Sequence, residues 1–413
     1  MAENDIIPHL FRTEYSKMVS VLTKSFGIEY VELAEDIVSE TFMLALDVWP
    51  FKGLPTNPTA WLYTVAKNKV KNHYLRNNTF KKKVRHILEM GMLPEEISID
   101  FSEKNIVDSQ LQMLFAICHP SISVESQICL ALRILCGLGL DEIADAFLSN
   151  KENIHKRLQR GKKKLKQLGI KIEMPADNDL NERVDAVLHT IYLVFSEGYY
   201  SESNSRIIRS ELCADALNMA YLILSNSNTN LHSTNALLSL MCFQSSRLEA
   251  RMSDHGDIIL YDDQDRKLWD KELIEKGFYY LQQASKWDIT SQYYIEASIA
   301  YWHTVESTHP DKWTSILLLY DVLLTINNSP VVSLNRIWAY SKVHGALQAI
   351  DEAESQDLKT NHFYFMLMAE LCRHFDEGKA IQYLSKAYAL CKTNAEKDLI
   401  QLKIVTLQAK QMV

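Results

Sequence analysis

Apolar and polar residues recur with a helical period in two neighbouring stretches near the start of the chain, 34–49 and 58–77. We expect the first helix to end near Pro50 and the second to begin at Pro58, because proline tolerates the first position of a helix. An irregular polar stretch, roughly 77–108, then interrupts the pattern and predicts a linker. The start of the chain is therefore predicted to form three or four helices.

A second periodic region, 110–168, predicts a helix-turn-helix. A short helix opened by Asp141 is followed by a turn at 148–150 and by a long basic helix. Three apolar residues of the long helix are expected to face the core while its basic residues stay outside: Ile154, Leu158 and Leu165.

The chain from about residue 181 onward reads as helical and acidic, and it contains an internal repeat. Segment 378–390 (GKAIQYLSKAYAL) aligns with segment 344–356 (HGALQAIDEAESQ) at an offset of 34 residues. Each segment carries two alanines seven positions apart, which allow paired helices to approach closely. Because 34 residues is the tetratricopeptide period, we predict a tetratricopeptide-like region. The alternative is an unrelated helical bundle.

Composition supports an all-α, globular chain. Only 12 glycines and 9 prolines interrupt 413 residues, of which 47% are hydrophobic and 23% charged. No apolar run approaches the roughly 20 residues that span a membrane, and no secretory signal opens the sequence, so we expect a cytoplasmic protein without a membrane partner. The seven cysteines have no ligand-like spacing, which predicts buried, reduced thiols.

Charge is divided unevenly along the chain. Residues 1–170 hold 22 basic and 20 acidic side chains, whereas residues 171–413 hold 22 and 32, within a net charge of −8. The basic residues of the first part concentrate in two runs, 67–85, which has no acidic residue, and 151–166, which has only Glu152. Such runs neutralise phosphates and release counterions, so they predict a nucleic-acid partner.

The two runs predict different contacts with DNA. Rings at Trp61, Tyr63, His73 and Tyr74 accompany the first run and offer faces on which unstacked bases can lie, which suits melted single strand. The second run occupies the second helix of the helix-turn-helix, whose first residues would read base edges while later lysines meet the backbone. The alternative for each run is a solvated helix face.

These motifs resemble those of extracytoplasmic-function sigma factors of bacterial RNA polymerase. The segment AEDIVSETFMLAL resembles the one that grips the clamp helices of the largest polymerase subunit, and NPTAWLYTVAKNKVKNHYLR resembles the one that melts and reads the minus-ten element. The 110–168 unit resembles the domain that reads the minus-thirty-five element. The resemblance implies four parts: sigma region 2 at 8–78, a linker at 79–108, a sigma region 4 helix-turn-helix at 109–170, and a C-terminal helical extension at 180–413.

The same resemblance implies three sets of site residues. Contacts with the polymerase core enzyme are implied for Glu35, Asp36, Glu40 and Phe42. Contacts with minus-ten DNA are implied for Trp61, Asn68, Lys69, His73 and Arg76, with the loop 51–57 as the pocket for a flipped base. Contacts with minus-thirty-five DNA are implied for Asn153, His155, Lys156, Arg157, Arg160 and Lys163. Because His73 stands where many members carry an acidic residue, promoter preference is not carried over.

The extension resembles a subgroup in which the sigma factor is fused to a tetratricopeptide-type domain, on segments 190–203, 260–270 and 329–345. That resemblance implies that the extension replaces or supplements a separate anti-sigma protein and is needed for activity. Its implied partner is either the sigma domains in cis or another, unidentified protein. Its acidic charge could mask the basic runs in cis.

No catalytic or metal motif emerges from the sequence, so we expect neither an enzyme nor a cofactor. The acids of 260–270 lack the alternation and glycine of a calcium loop and predict a capped helix start or a salt-bridged turn. The predicted function is promoter recognition and transcription initiation with core polymerase. The alternatives are a tetratricopeptide-fused helix-turn-helix regulator that acts without core polymerase, and a peptide-binding scaffold with a degenerate N-terminal part.

Overall fold

The computed structural model describes residues 6–76, 99–147, 149–199, 209–251, 259, 261–286, 291–306, 308–356, 362–373, 375–391 and 394–411. Within these ranges the ordered elements are helices, and the predicted all-α fold is confirmed. The chain divides into two compact units, residues 1–193 and 194–413.

Three long helices open the first unit: α1 (Ile6–Phe26), α2 (Val31–Lys52) and α3 (Pro58–Arg76). As predicted, α3 begins at Pro58, and the Asn57 side chain accepts a hydrogen bond from the Ala60 amide at 2.9 Å. Asn57 therefore caps the helix, and the proline at its first position loses no helical hydrogen bond.

We predicted that α2 ends near Pro50, but the helix continues past this proline to Lys52. Pro50 lies exposed in the last turn, where water can satisfy the carbonyl that loses its amide partner. Gly53 follows at a φ of 78°, a conformation that favours glycine and takes the chain out of the helix.

Four further helices complete most of the first unit: α4 (Glu103–Ile117), α5 (Val124–Leu130), α6 (Leu140–Ala146) and α7 (Lys151–Leu168). A π-helical segment, Ala131–Leu135, continues α5. The pair α6 and α7 forms the helix-turn-helix. The predicted core face of α7 is confirmed, since the side chains of Ile154, Leu158 and Leu165 are buried.

The predicted linker ends earlier than expected, because α4 begins at Glu103 and includes residues 103–108. The Ser102 hydroxyl accepts a hydrogen bond from the Asn105 amide, and Ile106 is buried one turn into the helix. A cap followed by an apolar anchor is enough to start a helix within a polar stretch. The rest of the predicted linker, residues 77–98, lies outside the described residues.

Glycine allows α7 to approach α5 closely. A Cβ atom added at Gly161 would lie 2.7 Å from Leu130 Cδ1, closer than real Cβ contacts. Gly161 therefore faces the core of the helix-turn-helix, in line with the three buried residues of α7.

The helix α8 (Leu180–Tyr199) contains the boundary between the units, and ten α-helices follow it among the described residues. They are α9 (Ser210–Leu224), α10 (His232–Ser245), α11 (Lys271–Ala284), α12 (Gln292–Thr304), α13 (Lys312–Ile326), α14 (Pro330–His344), α15 (Ala346–Ser355), α16 (His362–Cys372), α17 (Glu377–Leu390) and α18 (Asn394–Gln411). Consecutive helices pack against one another and bury a series of apolar clusters, which is a solenoid-like arrangement.

The repeat found in the sequence lies on α15 and α17. Its residues Ala353, Ala380 and Ala387 are fully buried, and Ala346 is partly buried beside the cluster of α14 and α16. Small side chains at these positions let neighbouring helices come close, as the 34-residue offset predicted.

The acidic segment 260–270 contains two short 3-10 helices, Tyr261–Asp263 and Arg266–Leu268. Asp265 accepts a hydrogen bond from the Lys267 amide at 2.9 Å, and Asp270 caps α11 through the Leu273 amide at 3.0 Å. The prediction of a capped helix start is confirmed. The side chain of Asp262 and the residue Leu260 lie outside the described part, as do 200–203 of the segment 190–203.

All seven cysteines are buried and none is in a disulfide, which confirms the prediction of buried, reduced thiols. Burial raises the pKa of the Cys118 thiol to about 12. A thiol held protonated in this way is a poor nucleophile and a poor metal ligand.

Candidate polymerase and nucleic-acid interfaces

One face of α2 is exposed and carries acidic and apolar residues together. Asp36, Glu40, Met43, Asp47 and Phe51 recur every three or four positions and therefore share a face of the helix. All five are exposed, Met43 by 62% and Phe51 by 89%. Exposed apolar side chains grouped with charges are typical of a surface that contacts another protein. We refer to these five residues as the outward face of α2.

The other two residues predicted to contact polymerase lie on the opposite face of α2. Phe42 is buried, and its ring meets the Phe11 ring edge-on at 5.0 Å. Glu35 is also buried and accepts hydrogen bonds from Arg133 Nε at 3.0 Å and Lys162 Nζ at 2.5 Å. Of the four predicted residues, the structure thus exposes Asp36 and Glu40 and places Glu35 and Phe42 inside the fold.

The residues predicted to meet minus-ten DNA are distributed around α3. Asn68 is exposed, whereas Lys69 and His73 are half-buried, and the side chain of Arg76 lies outside the described part. Lys69 Nζ pairs with Glu40 at 2.8 Å, which connects α3 to the outward face of α2. Trp61 is half-buried against Trp49, with ring centroids 5.3 Å apart. Only part of the Trp61 ring is therefore open to a base.

The ring of Tyr63 is occupied by contacts within the protein. It stacks on Phe101 at 4.4 Å, and its hydroxyl donates to Glu14 Oε2 at 2.5 Å. Burial, followed by the Glu14 carboxylate, raises the pKa of this phenol. Tyr63 thus holds α3 to its neighbours, and one face of its half-buried ring is taken up by Phe101 rather than left open to a base.

The loop predicted to receive a flipped base is exposed for most of its length. Its first two residues belong to the last turn of α2, where Phe51 is exposed, and Gly53, Leu54 and Thr56 after them are also open to solvent. Asn57 is exposed too, but its side-chain oxygen already caps α3. The loop is therefore accessible between α2 and α3.

The helix α7 presents the residues predicted to meet minus-thirty-five DNA. Five of the six are exposed and Arg157 is half-buried: Asn153, His155, Lys156, Arg157, Arg160 and Lys163. Asn150 caps the helix by accepting from the Asn153 amide at 2.8 Å, which fixes where the exposed turn begins. Cations along the rest of the helix can meet phosphates while its first turn meets base edges.

A depression of about 440 Å³ lies beside this helix. Its lining includes the cations Arg157, Arg160 and Lys164, the hydroxyl groups of Ser121 and Ser123, and one acid, Glu125. Because three cations outnumber one carboxylate, the depression is a favourable place for a backbone phosphate.

Sequence reasoning missed Met43, Asp47 and Lys162. A signal for Met43 was available, because α2 has more apolar residues than one buried stripe can hold and Met43 falls outside that stripe. Asp47 follows Met43 by four positions and therefore lies on the same face of the helix. Lys162 gave no signal, since it belongs to a basic run but turns toward Glu35. Its partner lies 127 positions away in the chain.

Neither a cluster of metal ligands nor a membrane-spanning helix is present among the described residues. No group of three or more potential metal ligands is present among them. None of their helices is both long enough and apolar enough to cross a membrane.

Comparison with known proteins assigns the first three helices to a family. Residues 10–80 match sigma-70 region 2, a region of transcription factors that interact with the RNA polymerase core and promoter DNA and are not enzymes. Residues 183–285 match a family described as "Family of unknown function (DUF6596)". No solved structure matches the chain.

A protein of Rhizobium meliloti (strain 1021), described as uncharacterized, is 31% identical to this chain over 395 residues. The alignment covers 92% of this chain and 91% of the relative, so it includes both compact units. With that relationship and a sigma-70 region 2 at its N-terminus, the chain belongs to the family of this rhizobial protein and is a sigma-factor-like protein.

Proposed function

We propose that this chain is an extracytoplasmic-function sigma factor that directs core RNA polymerase to specific promoters and initiates transcription. The observation that carries the proposal is the outward face of α2, which lies within the sigma-70 region 2 match and stays exposed. Its apolar side chains, Met43 and Phe51, would bury against the clamp helices of the largest subunit, and its acids would pair with cations there.

The minus-ten contact of the proposal rests on α3 and the loop before it. Asn68, Lys69 and His73 are positioned along one helix, and the exposed loop 53–57 lies beside it. Lysine contacts hold the backbone, and the loop receives an unstacked base.

The minus-thirty-five contact of the proposal rests on α7. The exposed residues of its first turns, among them Asn153 and His155, would read the duplex in the major groove. The later cations Arg160 and Lys163 would neutralise phosphates.

We further propose that the C-terminal extension is tetratricopeptide-like and regulates the sigma domains or binds a partner. Support comes from a groove of about 840 Å³ in the second unit, lined by Trp338, Phe363 and Met366 together with charges of both signs, among them Lys342, Arg373, Asp263 and Glu370. Apolar rings beside charges of both signs suit a peptide that carries both bulky and charged side chains.

Binding to core polymerase tests the proposal. Replacing Asp36 by Asn together with Met43 by Ala should weaken core binding about tenfold or more, because it removes a charge and an apolar anchor from the contact surface. The matched control makes the same two kinds of change on exposed residues of α15, Asp351→Asn with Leu347→Ala, and should bind core as the parent chain does.

Two of the three functions considered from the sequence, a sigma factor and a DNA-binding regulator, give different results in this experiment. A sigma factor loses activity with the α2 variant and keeps it with the α15 variant. If the parent chain shifts duplex DNA without core polymerase and never binds core, it is a tetratricopeptide-fused DNA-binding regulator instead.

A further inference from the structure

Basic side chains of the second unit meet around the ring of Tyr261. Its hydroxyl accepts hydrogen bonds from Lys312 Nζ at 3.0 Å and from Arg266 Nη2 at 3.2 Å. The Arg247 guanidinium carbon lies 5.4 Å from the centre of the same ring, and the centre of the His303 ring lies 5.0 Å from it. Three cations and a histidine therefore surround one tyrosine. We refer to these five residues as the Tyr261 cluster.

A second tyrosine, Tyr199 at the end of α8, contacts two arginines. Arg251 Nη1 donates to the Tyr199 carbonyl at 3.0 Å, and its guanidinium carbon lies 4.0 Å from the centre of the Tyr199 ring. Arg247 Nη2 donates to the Tyr199 hydroxyl at 3.1 Å. Arg247 thus contacts both tyrosines, which places Arg251 beside the Tyr261 cluster.

Neither Arg247 nor Arg251 forms an ion pair with a carboxylate of the described residues. Arg251 is 9% exposed and Arg247 is half-buried, so both charges are largely removed from water. The tyrosine rings offset part of this burial through cation–π contacts. A buried cation nevertheless remains costly unless an anion accompanies it. The two arginines therefore lack the counter-charge that burial normally requires.

Three polar atoms of this region are buried without a hydrogen-bond partner among the described residues: Arg247 Nε, Trp269 Nε1 and His303 Nδ1. The Trp269 ring lies beside the cluster, 6.1 Å from the Tyr261 ring and 5.9 Å from the Arg247 guanidinium carbon. The first two atoms are N–H donors, and an imidazole nitrogen can be one. Gln264 Oε1 is an unpartnered acceptor in the turn that follows Tyr261. Because buried polar groups are normally satisfied, open donors beside unpaired cations indicate a ligand that accepts hydrogen bonds.

The charges of the cluster also act on its histidine. Burial, followed by the charges of Arg247 and Lys312, lowers the pKa of His303 to about 3. The imidazole is therefore neutral, and the cations beside it disfavour a further proton. The same positive potential favours an anion.

The Tyr261 cluster is open to solvent on one side. Tyr261 also lines the groove of about 840 Å³, and Arg247 and His303 are half-buried rather than enclosed. Two acids line this groove as well. Glu370 pairs with Arg373 and with Lys403, and Asp263 is exposed. A small molecule thus has a route to the cluster from the groove.

We propose that the Tyr261 cluster binds the phosphate group of a small molecule, with Arg247 and Arg251 as its principal contacts. Two guanidinium groups suit a phosphate better than a carboxylate, because a phosphate group carries about two charges and offers three acceptor oxygens. The planar N–H groups of arginine match that geometry. The site lies in the second unit, so binding there does not depend on the proposed contact with polymerase.

Binding of inorganic phosphate to the full chain tests the proposal. Fluorine NMR of protein labelled with 5-fluorotryptophan reports on the seven tryptophans separately. Phosphate should shift the Trp269 signal, which is identified by its loss in Trp269→Phe, and should leave the signal of Trp49 in the first unit unchanged. A shift of the Trp338 signal alone would place the phosphate in the groove and overturn the proposal.

The affinity read from the Trp269 signal should fall about tenfold or more in Arg247→Gln, because a charge-assisted hydrogen bond is lost. Arg373→Gln removes an exposed arginine from the groove and should keep the affinity of the parent chain. Helical circular dichroism shows whether each variant folds. An affinity equal to that of the parent chain in folded Arg247→Gln, or an equal loss in Arg373→Gln, would overturn the proposal.

A milder variant keeps the test decisive if Arg247→Gln does not fold. Arg247→Lys retains the charge but loses the paired N–H groups, and it should bind phosphate about fivefold more weakly, as expected for loss of one hydrogen bond. Parent affinity in this variant would contradict a direct contact between Arg247 and the phosphate.

Other anions identify the source of the phosphate group. Glycerol 3-phosphate should bind more tightly than inorganic phosphate if the ligand is a phosphate ester, since its hydroxyl groups can donate to Gln264; the reverse order identifies free phosphate as the ligand. Acetate should bind about tenfold more weakly than inorganic phosphate because it carries about half the charge. Equal binding of acetate would overturn the assignment to phosphate.

Discussion

Glu35 and Asp36 are neighbours in the chain with opposite surroundings. Glu35 is buried and paired with two cations, whereas Asp36 is exposed on the outward face of α2. A carboxylate in the first setting fixes the fold, and one in the second is free to meet another protein. The two residues should therefore respond differently to loss of charge.

Glu35→Gln should lower the free energy of unfolding of the first unit by about 3 kcal/mol, because Arg133 and Lys162 would lose their carboxylate in a buried site. Asp36→Asn should change it by less than about 0.5 kcal/mol, as is usual at the surface. Urea denaturation followed by helical circular dichroism measures both. Similar losses in the two variants would show that the Glu35 carboxylate is not buried in solution.

The pH dependence of the free energy of unfolding tests whether the Cys118 thiol is buried. Its pKa is raised from 9.0 to about 12 by burial, so the unfolded chain loses this proton before the folded one. The contribution of this protonated thiol to the free energy of unfolding is therefore complete below pH 9 and is lost as the pH rises toward 12. Unfolding free energies at pH 8 and pH 10.5 should fall less steeply with pH in Cys118→Ala than in the parent chain. Identical pH dependence would mean that this thiol is solvated in the folded state.

The close packing of α7 against α5 depends on Gly161. Alanine is normally favoured over glycine in a helix by about 1 kcal/mol, but a Cβ at Gly161 would lie 2.7 Å from Leu130. Overpacking of this kind costs about 1–3 kcal/mol. Gly161→Ala should therefore destabilise the first unit in urea denaturation, while Gln167→Ala on the exposed side should not. A stabilised Gly161→Ala would place α7 farther from α5 than the structure does.

The exposed face of α7 should carry the dependence of DNA binding on salt. Arg160→Gln removes one cation from the proposed phosphate contact and should weaken duplex binding while lowering the slope of log affinity against log salt by about one. Lys379→Gln, an exposed lysine of α17, is the control and should leave the slope as it is. Fluorescence anisotropy across a salt series measures both, and an unchanged slope in Arg160→Gln would remove this helix from the backbone contact.

The elements with strong local signals could be predicted from the sequence. Pro58 and Asn57 mark the start of α3, and the apolar spacing of Ile154, Leu158 and Leu165 marks the core face of α7. The end of α2 could not be predicted, because whether a helix continues past Pro50 depends on the exposure of one carbonyl.

The residues of the candidate site, like the ends of the helices, could be predicted only in part from the sequence. The family resemblance implied the exposed acids Asp36 and Glu40, and residue type with helical spacing predicted the basic face of α7. The burial of Glu35 and Phe42 could not be predicted, because it depends on partners supplied by distant segments, Lys162 for one and Phe11 for the other. Long-range pairs of this kind leave no trace in local spacing.

At the scale of the whole molecule, charge and function are divided between different parts of the chain. The basic runs lie within residues 1–170, and residues 171–413 hold the excess of acids. The helix α8 cannot be assigned to the extension alone, since Arg183 donates to the Phe115 carbonyl and Thr190 to Gln127 inside the first unit. A cut meant to remove the extension must therefore follow Tyr199, because a cut near 178 would uncover the buried Val184, Val187 and Ile191.

The most direct test of the central claim is transcription of genomic DNA by core polymerase with and without the purified chain. We expect new transcripts that depend on the chain, and their start sites should share two upstream sequence elements about 25 base pairs apart. The Asp36→Asn, Met43→Ala variant should lose these transcripts, and the α15 control should keep them. Transcripts that are the same with and without the chain, together with no binding to core, would contradict the account.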